Sequence, residues 1–253
     1  NNILRTAPME VAIVGDMPEA RALALAATYL GSLPKRPLSD PSVEALRHVA
    51  GFTGPREQRI EVETITPRAQ PILMWRSAPW EDVHGRRLMH IAGRILERRI
   101  RQEIRENRGL TYSIATYARP SKIYPLMSAL YVQFTTDPDT ADEAVHLARS
   151  VVQTFAAEGP TDTEMETVRK QLLNAVETML KEPHFWVGLL KDLDYHDTKL
   201  EDVNGLLGKL LAYSKDDIAA AIKRTVQPER FAVVIGQPTA ACIAQQAECG
   251  VGK

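Results

Sequence analysis

Residues 104–113 read Ile104-Arg105-Glu106-Asn107-Arg108-Gly109-Leu110-Thr111-Tyr112-Ser113. An arginine-rich helical pattern runs into this stretch, stops at Gly109 and emerges as a strand pattern. Arg105 and Tyr112 bracket the break, seven positions apart. A guanidinium, always charged and donating in a fixed fork, therefore meets a phenol at a helix-to-strand corner. Such donors suit a peptide carbonyl or a developing oxyanion.

The helix leading into the corner starts after Ala78-Pro79-Trp80-Glu81-Asp82, with Leu88, Ile91, Ile95, Leu96, Ile100 and Ile104 mostly on one face. Before it lie two strand patterns, Gln58 to Thr66 and Gln70 to Ser77, and after Gly109 two more, Leu110 to Ala118 and Met127 to Thr135. Further out, residues 10–15 read as a buried strand, followed by a helix from Pro18 to Leu30. Residues 34–56 form a loop-rich connector with one short helical piece, Ser42 to Ala50.

Downstream, Asp137-Pro138 opens a helix that Gly159-Pro160 breaks, and Thr161-Asp162-Thr163-Glu164 is a capping box that starts another. Helical patterns at 184–196, 199–212 and 215–226 follow, the last with Ser214 at its N-cap, before a final strand from Phe231 to Gly236. Residues 239–253 are left as a C-terminal tail. Val11-Ala12-Ile13-Val14-Gly15 near one end echoes Ala232-Val233-Val234-Ile235-Gly236 near the other. Hairpins between helices, and not one strand per helix, make the class α+β and argue against a doubly wound nucleotide fold.

Composition excludes several functions. The 253 residues carry a net charge of −1, so nothing pulls the chain as a whole toward nucleic acid or a membrane surface. No apolar run approaches the roughly 18–20 residues of a membrane span. Asn1-Asn2-Ile3-Leu4-Arg5 has neither an initiator Met nor an apolar signal core, which reads as a piece of a longer or processed polypeptide. Cys242 and Cys249 fit no zinc ribbon or redox pair, leaving a local disulfide or two unpaired thiols.

Competing catalytic centres are missing as well. There is no glycine-rich phosphate loop and no Gly-x-Ser-x-Gly elbow. None of the six histidines stands four residues from another, so neither His-Glu-x-x-His nor its inverse is possible. His84 and His90 share the long helix but sit about 240° apart around it. The eight arginines between Arg86 and Arg108 lack interleaved aromatic residues, so a solvated face with Glu–Arg pairs is preferred over nucleic-acid binding.

Two motifs carry a resemblance. Gly15-Asp16 after the first strand, then a helix and Tyr29-Leu30-Gly31-Ser32-Leu33-Pro34, resembles the opening of the second domain in pitrilysin/insulinase-type zinc metallopeptidases, the family of mitochondrial processing peptidase. The stretch from Arg98 to Ser113 looks like that domain's signature, and the likeness extends over roughly residues 8–238. The resemblance implies a metallohydrolase-like, processing-peptidase-like domain over 1–253, with a mostly antiparallel sheet and helices on one face. It also implies that zinc is held by a homologous partner domain bearing His-x-x-Glu-His, which this sequence lacks. Arg105 and Tyr112 match the residues that reach a peptide substrate beside that metal.

The expectation is therefore the non-zinc half of a zinc-dependent endopeptidase, inactive by itself. Its partners would be a zinc-bearing domain or subunit and a peptide, with no nucleic acid or membrane, in a bacterial periplasm or cytoplasm. Two other roles fit the same fold: a structural or assembly subunit, and a peptide-binding module without chemistry. On residue chemistry alone, Arg105 also reads as a cation offsetting a helix C-terminal dipole, and Tyr112 as an ordinary strand residue.

Overall fold

A computed structural model describes residues 9–35, 44–52, 54–64, 66–191, 193, 203 and 205–249; the side chains of Glu44, Tyr112 and 245–249 lie outside that description. In chain order the described elements are α1 (Glu19–Tyr29), α2 (Glu44–Arg47), β1 (Arg56–Val62), β2 (Gln70–Arg76) and α3 (Val83–Ile100). A π-helix (Arg101–Asn107), β3 (Thr111–Arg119), β4 (Ala129–Thr136), α4 (Ala141–Glu158) and α5 (Asp162–Met179) come next. The series closes with α6 (Pro183–Leu190), α7 (Leu206–Leu211), α8 (Lys215–Thr225), β5 (Phe231–Pro238) and α9 (Ala240–Cys249). Compact packing divides the chain into two units, residues 1–45 with 169–212, and residues 46–168 with 213–253.

The second unit holds a five-stranded sheet in the order β1-β5-β2-β4-β3. β1 runs parallel to β5, and the β5–β2, β2–β4 and β4–β3 pairs are antiparallel. The expected α+β class and mostly antiparallel sheet are therefore present. Period-2 burial explains the layering: Leu73 and Trp75 on β2, Leu130, Val132 and Phe134 on β4, and Val233 and Ile235 on β5 are buried on one side. α3 and α4 cover that side, and α8 packs on both helices.

Helix signals held where they were local. The Asp82 side chain accepts the Gly85 N–H at 2.8 Å and starts α3. The Thr161 box is closed by Glu164 N to Thr161 Oγ1 at 3.2 Å and Thr161 N to Glu164 Oε2 at 2.8 Å. Ser214 and Asp217 close the equivalent box on α8. Of the helical patterns 184–196 and 199–212, the described parts are α6 and α7, and residues 192, 194–202 and 204 lie outside the described residues. The stretch 239–253 contains helix α9. The Thr239 hydroxyl donates to Cys242 Sγ at 3.1 Å, and this thiol is free.

One element departs from expectation in the first unit. Residues 9–14 form no strand, and Met9, Val11 and Ile13 lie 53%, 52% and 53% exposed. Their β-branched composition describes a strand's side chains, but a strand also needs a neighbour's main chain. Its echo, β5, already has β1 on one side and β2 on the other. α1 forms where its pattern puts it, yet none of its residues is buried and Leu23 is 61% exposed.

Candidate functional site

The corner between α3 and β3 is built by a change of helix type. Ile100 and Ile104 are both fully buried. In an α-helix each four-residue step overshoots a turn by about 40°, so Leu96, Ile100 and Ile104 would share one broad face while drifting across it. From Arg101 the backbone winds as a π-helix. Its wider i→i+5 turns cancel the drift and return Ile104 to the core. Extended π-helix is rare and found mostly at functional sites.

Gly109 then turns the chain. Its φ of +67° is left-handed, and a Cβ there would meet nothing within 4 Å, so the demand is conformational. Gly109 N donates to Arg105 O and Leu110 N to Ile104 O, both at 3.0 Å. These bonds cap the last turn and fix Arg105's backbone.

Two threonines pin the strand side. Thr136, 1% exposed, donates from Oγ1 to Leu110 O at 2.7 Å. Thr111, 5% exposed, donates from Oγ1 to Thr135 O. The β3–β4 register then shifts between Thr111 and Ile114, leaving Tyr112 and Ser113 in a β-bulge. Bulges re-aim side chains and recur beside active sites. Tyr112's backbone thus sits in the bulge, and its ring lies outside the described residues.

Arg105 is exposed, and its guanidinium makes no hydrogen bond or ion pair to a described residue. Several neighbours are engaged: Arg101 with Glu97 at 2.7 Å, Arg108 with Glu103 at 3.6 Å, and Arg99 with Glu164 at 2.6 Å. The last pair anchors the helix end. Arg99 also donates to Gly159 O at 3.1 Å and lies 4.7 Å from the centre of the Phe155 ring. Burial by itself raises the Glu164 carboxyl, but the bonds from Arg99 and Thr161 outweigh it and hold Glu164 below the usual carboxylate range. The Glu164 bond holds the Arg99 guanidinium above its usual value against a smaller effect of burial.

Sequence reasoning singled out Arg105 and Tyr112 as candidates but missed the π-helix, the bulge and the threonine pins around them. The four-residue steps from Leu96 to Ile104 were the signal for the π-helix. A cleft of about 510 Å³ lies nearby, lined by Arg98, Arg99, Glu103, Leu147, Val151 and Glu164 among others. Arg105 is not among its described lining residues, and its Arg99 and Glu164 charges cancel, so the corner is preferred as the candidate. Among the described residues no three His, Cys, Asp or Glu side chains group as a metal requires, and no helix is long and apolar enough to cross a membrane.

Comparisons with known proteins converge on one family. The profile described as the peptidase M16 inactive domain matches residues 1–172. A zinc protease PQQL-like protein of Arabidopsis thaliana is 25% identical over 192 residues, covering 70% of this chain and 20% of the relative. The crystal structure of a peptidase M16 inactive domain from Pseudomonas fluorescens superposes with a TM-score of 0.70 at 17% identity, over 89% of this chain and 53% of the other. A Helicobacter pylori protease gives 0.74 at 12% identity, over 89% of this chain and 54% of the other. At these identities the structural likeness establishes the fold. The chain spans a fifth of the plant relative and about half of the two bacterial chains.

Proposed function

The chain belongs to the M16 peptidases, the family of the pitrilysins and insulinases, as the family's inactive domain, and we propose that it serves as the non-zinc half of a zinc-dependent endopeptidase. The partner is a homologous domain that holds zinc through His-x-x-Glu-His, on the same polypeptide or another. This chain supplies Arg105 and Tyr112 to the peptide beside that metal.

The observation that carries this reading is the exposed guanidinium of Arg105, without a partner among the described residues, on a π-helix whose last turn is closed by the Gly109 and Leu110 amides. A fixed backbone sets where the guanidinium starts from, which is one part of the preorganisation a binding site needs. A zinc centre polarises the scissile carbonyl and lowers the pKa of its water. On this chain, Arg105 donates in a fork to a substrate carbonyl or the oxyanion that forms from it, and the Tyr112 hydroxyl adds one donor. The backbone of Tyr112 lies in the β3–β4 bulge, and bulges recur beside active sites.

Reconstitution with the zinc-bearing half tests the proposal. Removing one oxyanion donor costs roughly 100- to 1,000-fold in kcat, and Arg105→Ala and Tyr112→Phe should each approach that loss with zinc content and folding intact. Unchanged turnover in both variants would falsify the assignment.

A further inference from the structure

The outward side of α3 and the π-helix carries charge that the fold does not use. His90, Arg94, Arg98, Arg101 and Arg105 follow one another at steps of four, four, three and four residues, the spacing of one helical face. Leu88, Ile95, Leu96 and Ile100 take the buried side. Arg101 has its own carboxylate, Glu97 at 2.7 Å. Arg94 donates from Nε to His90 Nε2 at 3.2 Å, which requires a neutral imidazole and leaves the guanidinium charge uncompensated. Arg98 and Arg105 are exposed, and neither guanidinium bonds to a described residue. Glu103 is taken by Asn107 and Arg108, and Glu106 adds one exposed negative charge beside Arg105. The row therefore keeps an excess of positive charge.

A second feature adjoins it. Arg98 and Gln102 line the cleft of about 510 Å³, together with Leu147, Ser150, Val151 and Thr154, which form one stripe of α4. Leu147 and Val151 are half-buried. Apolar surface thus stands open beside an uncompensated cation, in a volume that suits a side chain or a small ligand.

The helical rise spaces Arg94 about 6 Å from Arg98, and Arg98 about 10 Å from Arg105. An extended peptide advances about 3.3 Å per residue. With its scissile carbonyl at Arg105, such a peptide would bring side chains about three and five residues away to Arg98 and Arg94, both on one face of the strand. A nucleic acid fits less well, because no aromatic residues interleave the row for base stacking.

We propose that this row is a substrate-docking surface: acidic side chains about three and five residues from the scissile carbonyl pair with Arg98 and Arg94, and an apolar side chain of the same segment enters the cleft over Leu147 and Val151. It rests on the peptidase reading above and gives that reading a substrate class, polypeptides with an acidic segment beside the cleaved bond.

Synthetic peptides test it, each carrying a Leu and a Glu pair at that spacing on one side or the other of a cleavable bond, with Gln counterparts. Fluorescence anisotropy on the 253-residue chain should show one Glu peptide binding about tenfold more tightly than its Gln counterpart at low salt, and the gap should shrink as salt screens the exposed charges. Arg94→Gln combined with Arg98→Gln should close the gap, and Arg98→Lys alone should keep part of it. Arg56→Gln, a cation on the edge strand β1, should bind like the wild type. Replacing the peptide's Leu by Ser should weaken binding further. With the zinc-bearing half added, the double variant should raise KM for the Glu peptide about tenfold and leave kcat unchanged, because these charges hold substrate and transition state alike.

Equal affinity for the Glu and Gln peptides, or a double variant that loses kcat and keeps KM, overturns the docking surface and leaves Arg105 and the zinc-bearing partner untouched. An oligonucleotide or anionic vesicle that displaces the Glu peptide assigns the row to another partner and overturns it too. Charge-dependent binding to a chain that forms no active enzyme with the zinc-bearing half sinks the peptidase reading and the substrate class with it. Charge-dependent binding and KM, with turnover indifferent to Arg105 and Tyr112, support the docking surface and sink only the role of those two residues at the bond.

Discussion

Glu164→Gln probes the lock that holds the end of α3 against the start of α5. The carboxylate accepts Arg99 Nε at 2.6 Å, Arg99 Nη2 at 2.7 Å and Thr161 N at 2.8 Å. Both side chains are 19% exposed, so water screens them only partly. A hydrogen bond to a charged group contributes about 1.5–3 kcal/mol, against about 0–1 for an exposed pair. Glutamine keeps one oxygen for Thr161 or Arg99 but turns an NH2 donor toward another donor and leaves the guanidinium without its counter-charge. Losing one charged bond and weakening a second, with partial solvent relief, predicts a net cost of about 2 kcal/mol at pH 7.

The cost should depend on pH in a definite direction. Glu164 is held below its unfolded value, so its contribution is complete above the unfolded carboxylate range of about 4.3 and is lost as pH falls through the lower folded value. The gap between wild type and Glu164→Gln should therefore be flat from about pH 8 to 5.5 and close below about pH 4. Urea unfolding followed by tryptophan fluorescence measures it, because Trp75 is 2% exposed in the same unit. A gap under about 0.5 kcal/mol at pH 7, the level of an exposed pair, or one indifferent to pH, would refute the bidentate lock.

Four other outcomes are expected. Gly109→Ala must hold a Cβ at φ +67° in open space, so it should cost about 1–2 kcal/mol from backbone strain, with Gly109→Asn milder; equal melting temperatures for glycine and alanine would contradict the left-handed turn. Ile104→Ala deletes a fully buried side chain under the π-helix and should cost about 2–5 kcal/mol in urea; under 1 kcal/mol would mean the π turn does not serve to bury it. Asp142→Asn breaks the 2.5 Å pair with Arg59, but Asp142 is 73% exposed, so stability should move by less than about 0.5 kcal/mol. Elemental analysis of the purified chain should find less than one zinc per molecule, and a stoichiometric, tightly held zinc would contradict its place as the half without metal.

Much of the secondary structure was legible because its causes are local. The boxes at Thr161 and Ser214 and the cap at Asp82 each satisfy helix N–H groups from within a few residues. The helix stop at Gly109, between Arg105 and Tyr112, was legible for the same reason, since it is written in adjacent residues. Residues 9–14 show where local reading ends. Val11, Ile13 and Val14 have a strand's chemistry, but a strand's ladder is made with another segment, and residues 9–14 belong to no strand.

The sequence by itself determined the α+β class and most of the described helices and strands, which follow from contacts within a turn or a hairpin. Only the tertiary structure decided that β5 sits between β1 and β2, that α3 and α4 pack on the same side of the sheet, and that the Tyr112 backbone lies in a bulge. It also decided that α3 continues as a π-helix with Ile104 in the core, and that Arg99 is consumed by Glu164 while the Arg105 guanidinium has no such partner among the described residues. Each of those outcomes depends on atoms distant in sequence competing for the same space or the same hydrogen bond.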